Sequence, residues 1–472
     1  MALLAGAAAQ GTGGRETVAR TLRILALMGV AIVLAFYAEM LAHAPATGQD
    51  FRNFYAAATV LRHGGNPYDL HQLLRWEDRL YRPTTAAQRA SLAGNPYVQG
   101  PPLAMVLMPA VGFPPASVYP IYAALLAAAA VAALALLARL QPVQHPWQRA
   151  SLLLISPITF LGVLLGQPDA VLLLLLVLAL WCLSRGRAAP AGFALALGLV
   201  KPQIMAGPIV LLAVLSWSRE QLGTYLAGLA AGVAAFVGSS LLVAGPAVVQ
   251  GWAHELVGFG GATVYTQVDI SSLTTIYVGW APHALGLALS AATLLAWGGL
   301  CAMLWKGTPH PPPPSPSRGE GEYASPLSHT QGEGPEVRAV SPLPRPGRGA
   351  GGEGRGERWW LALGLTCWLL ATPYAHPHDD VLLVPVVWYL LDEGPYHGVA
   401  RLIAVALFIA WWLLPMGSVL GLRPPVLRGL GIVPVALTAA LLALRRPAVQ
   451  PLQKSCATAH RLQPWDESNV RG

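Results

Sequence analysis

Apolar residues in this chain fall into long runs separated by short polar or charged clusters. After a first run at Ile24 to Leu41 they recur at Ser117 to Leu137, Ala150 to Leu165, Ala170 to Leu183, Ala188 to Val200 and Ile204 to Trp217. The series continues at Leu222 to Ala244, His283 to Trp305, Trp359 to Thr372, Val381 to Leu391, Leu402 to Pro415 and Val426 to Leu444. Each run has helical rather than strand length. Together they predict an all-α polytopic membrane protein with about twelve transmembrane helices, the shorter ones extended by flanking residues or shielded by neighbours. Leu103 to Val111 is apolar but too short to cross, and reads as a re-entrant or interfacial segment.

Composition supports that pattern. Of 472 residues, 54% are hydrophobic and 11% charged, against roughly 25% charged in soluble domains, and the mean hydropathy is +0.51. A soluble globular enzyme is excluded. The excess of 30 basic over 22 acidic residues sits at the ends of apolar runs, where it sets orientation and does not imply nucleic acid. With the N-terminus cytoplasmic, Arg139, Arg149, Arg185, Arg187, Arg219, Lys306, Arg401, Arg445 and Arg446 all fall inside, as the positive-inside rule asks. Outside then lie 43–115, the turn Gly166 to Asp169, Ala247 to Pro282, Thr372 to Asp380 and Gly417 to Pro425, the last carrying Arg423 against the rule. The first run lacks a small-residue cleavage site and reads as a retained span rather than a signal peptide. The cysteines, Cys182, Cys301, Cys367 and Cys456, show neither a disulfide framework nor zinc spacing.

Residues 306–358 differ in kind, being rich in Pro, Gly, Ser, Arg and Glu; the composition predicts a disordered cytoplasmic insert. Three stretches in it begin Ser-Pro and end Gly-Glu-Gly, at Ser315, Ser325 and Ser341, like degenerate copies of one element. A tolerated insertion between two helices outweighs a docking tail. The expected organisation is a membrane core over 1–305 that includes the outside loop 43–115, the insert, the last helices over 359–446, and a cytoplasmic tail over 447–472.

That first outside loop carries helical periodicity. Phe51, Phe54, Tyr55, Ala58 and Leu61 recur until Gly64-Gly65, and Leu70, Leu73, Leu74, Leu80 and Tyr81 follow Asp69. Two amphipathic helices lying on the membrane surface are predicted, with Arg52, Arg62, Arg75, Arg79, Arg82 and Arg89 available to lipid phosphates.

Charge near membrane depth costs about 2.5–3.5 kcal/mol per residue and asks for a reason. Asp50 sits before the first of these helices; from spacing alone an N-cap outweighs a catalytic base. Lys201, in Leu-Val-Lys-Pro-Gln on the outer side, is equally a snorkelling lysine or a point charge for a lipid phosphate. The turn Gly166-Gln167-Pro168-Asp169 is either a capped turn or part of a polar site. His376-Pro377-His378-Asp379-Asp380 fits no strong metal spacing; acidic capping of a helix N-terminus is the commoner role, and a histidine there is suited to bond a phosphate. Nothing in the chain follows a strand-turn-helix pattern with GxGxxG or GxxxxGK[ST], so nucleotide binding is not expected.

The order Asp50-Phe51-x-x-Phe54-Tyr55-x-Ala57-Ala58, then Gly64-Gly65-Asn66-Pro67-Tyr68-Asp69, then Tyr97-x-x-x-Pro101-Pro102-Leu103 resembles glycosyltransferase family 87, the polyprenyl-phosphate-mannose-dependent mannosyltransferases of the GT-C class. Gly166-Gln167, Gly192 to Gly198 leading into Lys201-Pro202-Gln203, and His378-Asp379 extend the resemblance. It implies a GT-C-like bundle in the cell membrane that transfers a hexose, mannose foremost, from a polyprenyl-phosphate donor. The acceptor implied is a glycolipid or envelope glycan on the extracytoplasmic face. The configuration would be inverted, with no cofactor and no metal. By the same resemblance Asp50 is the general base; a departing phosphate then calls for cations, for which Lys201 and His378 are the candidates, with Gln167, Asp379 and Tyr55 as polar support. The partners implied are the prenyl donor, the acceptor and membrane lipids. The insert and Pro168 depart from the family pattern, leaving sugar and acceptor open. The alternatives are a GT-C transferase for another prenyl-linked sugar and, from a different class, a secondary transporter. The transporter would require paired charges deep in the bundle and repeated broken helices; neither is evident in the sequence.

Overall fold

A computed structural model describes residues 48–82, 96–140, 146–154, 156–258, 291–299, 301–302, 353–372, 377–392, 400, 403–404, 407 and 432–444. Among them no strand occurs, and helices follow one another from end to end. The first apolar run and Arg89 lie outside the described residues, as do Cys456, most of Leu402 to Pro415 and nearly all of the insert.

Helices α1 (Gln49–Arg62) and α2 (Leu70–Tyr81) form the predicted pair. Gly64, at φ +76°, takes the left-handed turn that ends α1, and Asp69 caps α2 by accepting from the backbone N–H groups of His71 and Gln72. Helix α2 is amphipathic as expected, with Leu73 inward and Leu70 exposed. Helix α1 is not a surface helix. Phe51, Ala56, Ala57, Ala58 and Val60 are all fully buried, because α2 covers one side and α3 (Pro101–Leu107) with the following 3-10 turn covers another. Its polar residues are satisfied inside: Asn53 donates to Glu77 at 3.3 Å, and the Thr59 hydroxyl donates to the Tyr55 carbonyl. Several of the arginines expected at lipid phosphates make protein contacts. Arg52 lies over the Tyr81 ring and Arg79 over Trp76, Arg62 bonds the Met108 and Val111 carbonyls, and Arg75 bonds the His71 carbonyl.

The longest apolar runs become the longest helices, α4 (Pro115–Leu140) and later α10 (Leu222–Ala244). Both are apolar all round. Ile121 and Leu125 on α4 and Leu242 on α10 stand in the open, as lipid-facing side chains do. These two are the helices of the described residues long and apolar enough to cross a membrane, with a set of shorter apolar helices beside them. Some of the expected spans are divided by local chain breaks. Ala150 to Leu165 divides at Ser156-Pro157 into α5 (Pro146–Leu154) and α6 (Pro157–Leu165). Ala188 to Val200 is α8 (Ala188–Leu197) closing in a 3-10 turn (Gly198–Val200), and Val381 to Leu391 divides into a 3-10 helix (Pro377–Leu383) and α13 (Val384–Asp392).

Helix α7 (Asp169–Ser184) runs beside α4 in the same direction, so that Ala170 joins Tyr122 and Leu126 at one end while Leu172 and Leu176 join Ala133 and Leu137 further along. Helices α8 and α10 approach closely because Gly192 and Gly228 put no side chain between them: a methyl on either would enter the opposing backbone at Tyr225 or Ala189. Helices α9 (Pro202–Ser218), α11 (Pro246–Gly258), α12 (Glu353–Ala371) and α14 (Ile432–Leu444) complete the set. Helix α12 begins inside the stretch assigned to the insert, and Trp368 anchors it by donating to the Ile204 carbonyl on α9.

Candidate functional site

Helix α1 enters the bundle through a pair of glycines. Gly166 ends α6 at φ +82°, a left-handed conformation that glycine adopts without a steric cost. It lies so close to α1 that a Cβ there would stand 2.7 Å from the Phe51 Cβ, while a Cβ on Gly48 would stand 2.7 Å from the Leu164 carbonyl oxygen. The result is a side-by-side seat for the residues that follow each glycine. Gln167 Nε2 donates to Asp50 Oδ2 at 2.8 Å across 117 positions of sequence. Gln167 is itself tied down, its backbone N–H donating to the Gly162 carbonyl at 2.8 Å. The N-cap of α1 is Gly48, with no side-chain cap bond, and Asp50 in the first turn presents its carboxylate to Gln167.

Two residues beyond Gln167, Asp169 starts α7 with no capping side chain before it. Its Oδ1 accepts from Lys201 Nζ at 2.7 Å, and the same ammonium donates to Asp379 Oδ1 at 2.7 Å. Lys201, Asp169 and Asp379 are each no more than 3% exposed. Desolvation makes such a triplet a weak source of net stability, but removal of one member costs about 3–5 kcal/mol, because the others remain as buried charge. Asp380 is buried beside it. Asp50 is different: it is only half-buried, and of these four acids it is the one that solvent or substrate reaches.

Lys201 is anchored from a third direction. The 3-10 turn before it accepts the Gly100 N–H at the Val200 carbonyl, 2.9 Å away. Gly100 has room there because it lacks a side chain; a Cβ would meet the Phe236 ring. Tyr97 holds this strap, its hydroxyl donating to the Gly100 carbonyl and accepting from the Ala104 N–H.

Of the side chains singled out in the sequence, Asp50 and Gln167 therefore meet, and Lys201 and Asp379 meet. Tyr55 goes elsewhere. Its hydroxyl lies 2.9 Å from the Ala110 carbonyl and 2.8 Å from that of Phe113, clipping α1 to the turn after α3. The backbone of His378 lies in the 3-10 helix Pro377–Leu383, but its side chain lies outside the described residues. The ammonium of Lys201, a candidate contact for donor phosphate, is shared by two carboxylates. Of the two readings of the turn Gly166 to Asp169, a capped turn or part of a polar site, the pairing of Asp169 with Lys201 fits the second; a buried lysine needs a counter-charge, and that requirement is the available signal. Tyr122 was also missed. It is buried with its ring packed on Phe51, 5.3 Å between centroids, and nothing in its apolar sequence context singles it out. Among the described residues no group of three or more His, Cys, Asp or Glu is arranged to hold a metal ion.

Residues 97–313 match the model of glycosyltransferase family 87. The match and the motifs read in the sequence give the same family, and support a glycosyltransferase of the membrane. No curated protein and no solved structure matches the chain. The family 87 match takes in Gln167, Asp169 and Lys201; Asp50 and Asp379 lie outside it, and folding brings them to the same place.

Proposed function

We propose that this protein transfers a hexose, mannose foremost, from a polyprenyl-phosphate donor to a hydroxyl of a glycolipid or envelope glycan at the extracytoplasmic face of the membrane. Asp50 is the general base. The observation that carries this reading is the seat of Asp50: a half-buried carboxylate held by Gln167 at the rim of a buried charged cluster. A base must be both reachable and aimed, and general bases contribute about 10²–10⁴-fold.

In the reaction the acceptor oxygen attacks the anomeric carbon as its proton passes to Asp50. The bond from that carbon to the phosphate oxygen breaks on the opposite face, and polyprenyl phosphate departs with the bonding pair, inverting the configuration. Phosphate leaves as a stable anion, so a second carboxylic acid, which glycosidases use to protonate an alkoxide, is not required. Cations near the departing phosphate stabilise its charge; His378 retains that role in this reading. The apolar surface of α4, with Ile121 and Leu125 exposed, together with Val106 and Phe113 on and after α3, suits a lipid-borne substrate arriving from the bilayer.

The test uses the purified full chain, radiolabelled polyprenyl-phosphate mannose and a membrane lipid extract. The parent transfers label and Asp50→Asn falls by at least about 10²-fold. Equal transfer by both proteins would remove Asp50 from the role of base. Transfer only from another prenyl-linked sugar reassigns the donor, and a liposome flux with no transfer from any donor replaces the enzyme with a transporter. A cysteine at position 50, in a chain freed of Cys182, Cys301, Cys367 and Cys456, is expected to react with an impermeant thiol reagent from outside; labelling only after lysis would invert the topology.

A further inference from the structure

We propose that Lys201 is a positioning residue for Asp50 and does not itself receive the donor phosphate: by bridging Asp169 and Asp379 it fixes the turn whose Gln167 aims the base. This inference rests on the reading of Asp50 as the base.

Three elements distant in sequence meet at one ammonium: the start of α7 through Asp169, the junction before α9 through Lys201, and the 3-10 helix Pro377–Leu383 through Asp379. Asp169 lies two residues beyond Gln167 in the short connection between α6 and α7, whose start is fixed by the bond from the Gln167 N–H to the Gly162 carbonyl, so the hold on Asp169 restrains Gln167 through Pro168. Gln167 in turn is the side chain on Asp50. The route from Lys201 to Asp50 thus runs through the 2.7 Å bond to Asp169, back along the buried backbone to Gln167, and through the 2.8 Å bond to Asp50.

Charge and access both argue against direct phosphate binding. The ammonium has two carboxylate partners at 2.7 Å each, so with both ionised the triplet carries a net negative charge, which repels an arriving anion. Lys201 is also 3% exposed. The carboxylates take two of the three ammonium donors, and a phosphate that displaced Asp169 or Asp379 would leave a carboxylate buried without its counter-ion. The strap Tyr97–Pro101 pins the backbone next to Lys201 through the Gly100 to Val200 bond, which restrains the lysine from moving away from its two carboxylates.

The test compares the parent, Lys201→Met, and the neutral triple variant Asp169→Asn/Lys201→Met/Asp379→Asn, each as the full chain in lipid nanodiscs. Measured are binding of sugar-free polyprenyl phosphate and the kcat and donor KM of transfer. Lys201→Met alone is expected to lose at least a hundredfold in activity, since two carboxylates then face each other without a cation. The triple variant removes that repulsion. It is expected to bind polyprenyl phosphate within threefold of the parent and to keep its donor KM within threefold, while kcat falls tenfold or more as Gln167 loses its fixed seat. A tenfold loss of polyprenyl-phosphate affinity with kcat preserved at saturating donor would overturn the proposal and make Lys201 a phosphate ligand. Parental kcat and KM in the triple variant would also overturn it, leaving the triplet a fold element only. Should the triple variant not fold, Asp169→Asn keeps Lys201 paired with Asp379 and reads the same split: kcat down with donor KM unchanged supports the positioning role, and kcat unchanged refutes it. Asp50→Asn is assayed alongside. If it transfers at the parental rate the base assignment fails by itself, while the phosphate-binding arm still decides whether Lys201 touches the donor.

Discussion

Replacing Gly166 by alanine tests whether the seat of Asp50 is set by the close approach of two backbones. Two effects act at once. The residue holds φ +82°, which costs an L-residue about 1–2 kcal/mol. The new methyl would also stand 2.7 Å from the Phe51 Cβ and 3.2 Å from the Phe51 nitrogen, so the turn and α1 must part by about 0.8 Å to restore a normal carbon contact of ~3.5 Å. Overpacking of that kind adds about 1–3 kcal/mol. A displacement near 1 Å at a reacting group is worth about 10²-fold in rate, and here it falls on the bond between Gln167 and Asp50. Gly64→Ala is the matched control: Gly64 is also left-handed, at φ +76°, but a Cβ there meets nothing within 4 Å, so it bears the conformational cost alone. Thermal unfolding in detergent and sugar transfer are measured for both. Gly166→Ala is expected to be the less stable by about 1–3 kcal/mol and to lose about 10²-fold in transfer, with Gly64→Ala at the parental rate. Equal activity in the two variants would refute the claim that this contact places the base.

Gln167→Leu removes the bond to Asp50 while keeping most of the volume. A hydrogen bond to a charged group is worth about 1.5–3 kcal/mol, so kcat is expected to fall by about 10–100-fold; an unchanged kcat would free Asp50 from Gln167. Glu77, buried between α1 and α2, has its pKa raised from 4.5 to about 7, chiefly by desolvation and against the lowering influence of the Asn53 amide. A raised folded-state value means that its contribution is fully present below about pH 4.5 and is lost as pH rises through about 7, a loss of roughly 3 kcal/mol. Glu77→Gln is therefore expected to match the parent at low pH and to melt higher at pH 8; the same melting difference at both pH values would exclude Glu77 as the source.

The reach of the sequence can be followed residue by residue. Leu222 to Ala244 was legible to its ends because a long apolar run has one stable outcome in lipid, a helix that satisfies its own backbone. The stop at Gly64-Gly65 and the cap at Asp69 were legible for the same reason: each is a local contest over a few backbone groups. What surrounds α1 was not. Its apolar stripe predicted a helix on the membrane surface, and only the packing of α2 and α3 against it shows that Ala56, Ala57 and Ala58 are small because all sides of that helix are covered. Motif order in the sequence named Asp50, Gln167, Lys201 and Asp379 as polar residues of one face. Which of them touch was decided by the tertiary structure, since the Asp50–Gln167 bond spans 117 residues and the Lys201–Asp379 bond spans 178. Helix, turn and span follow from interactions within a few residues of the chain, whereas the partner of a buried charge is whatever distant group the folded bundle brings to it.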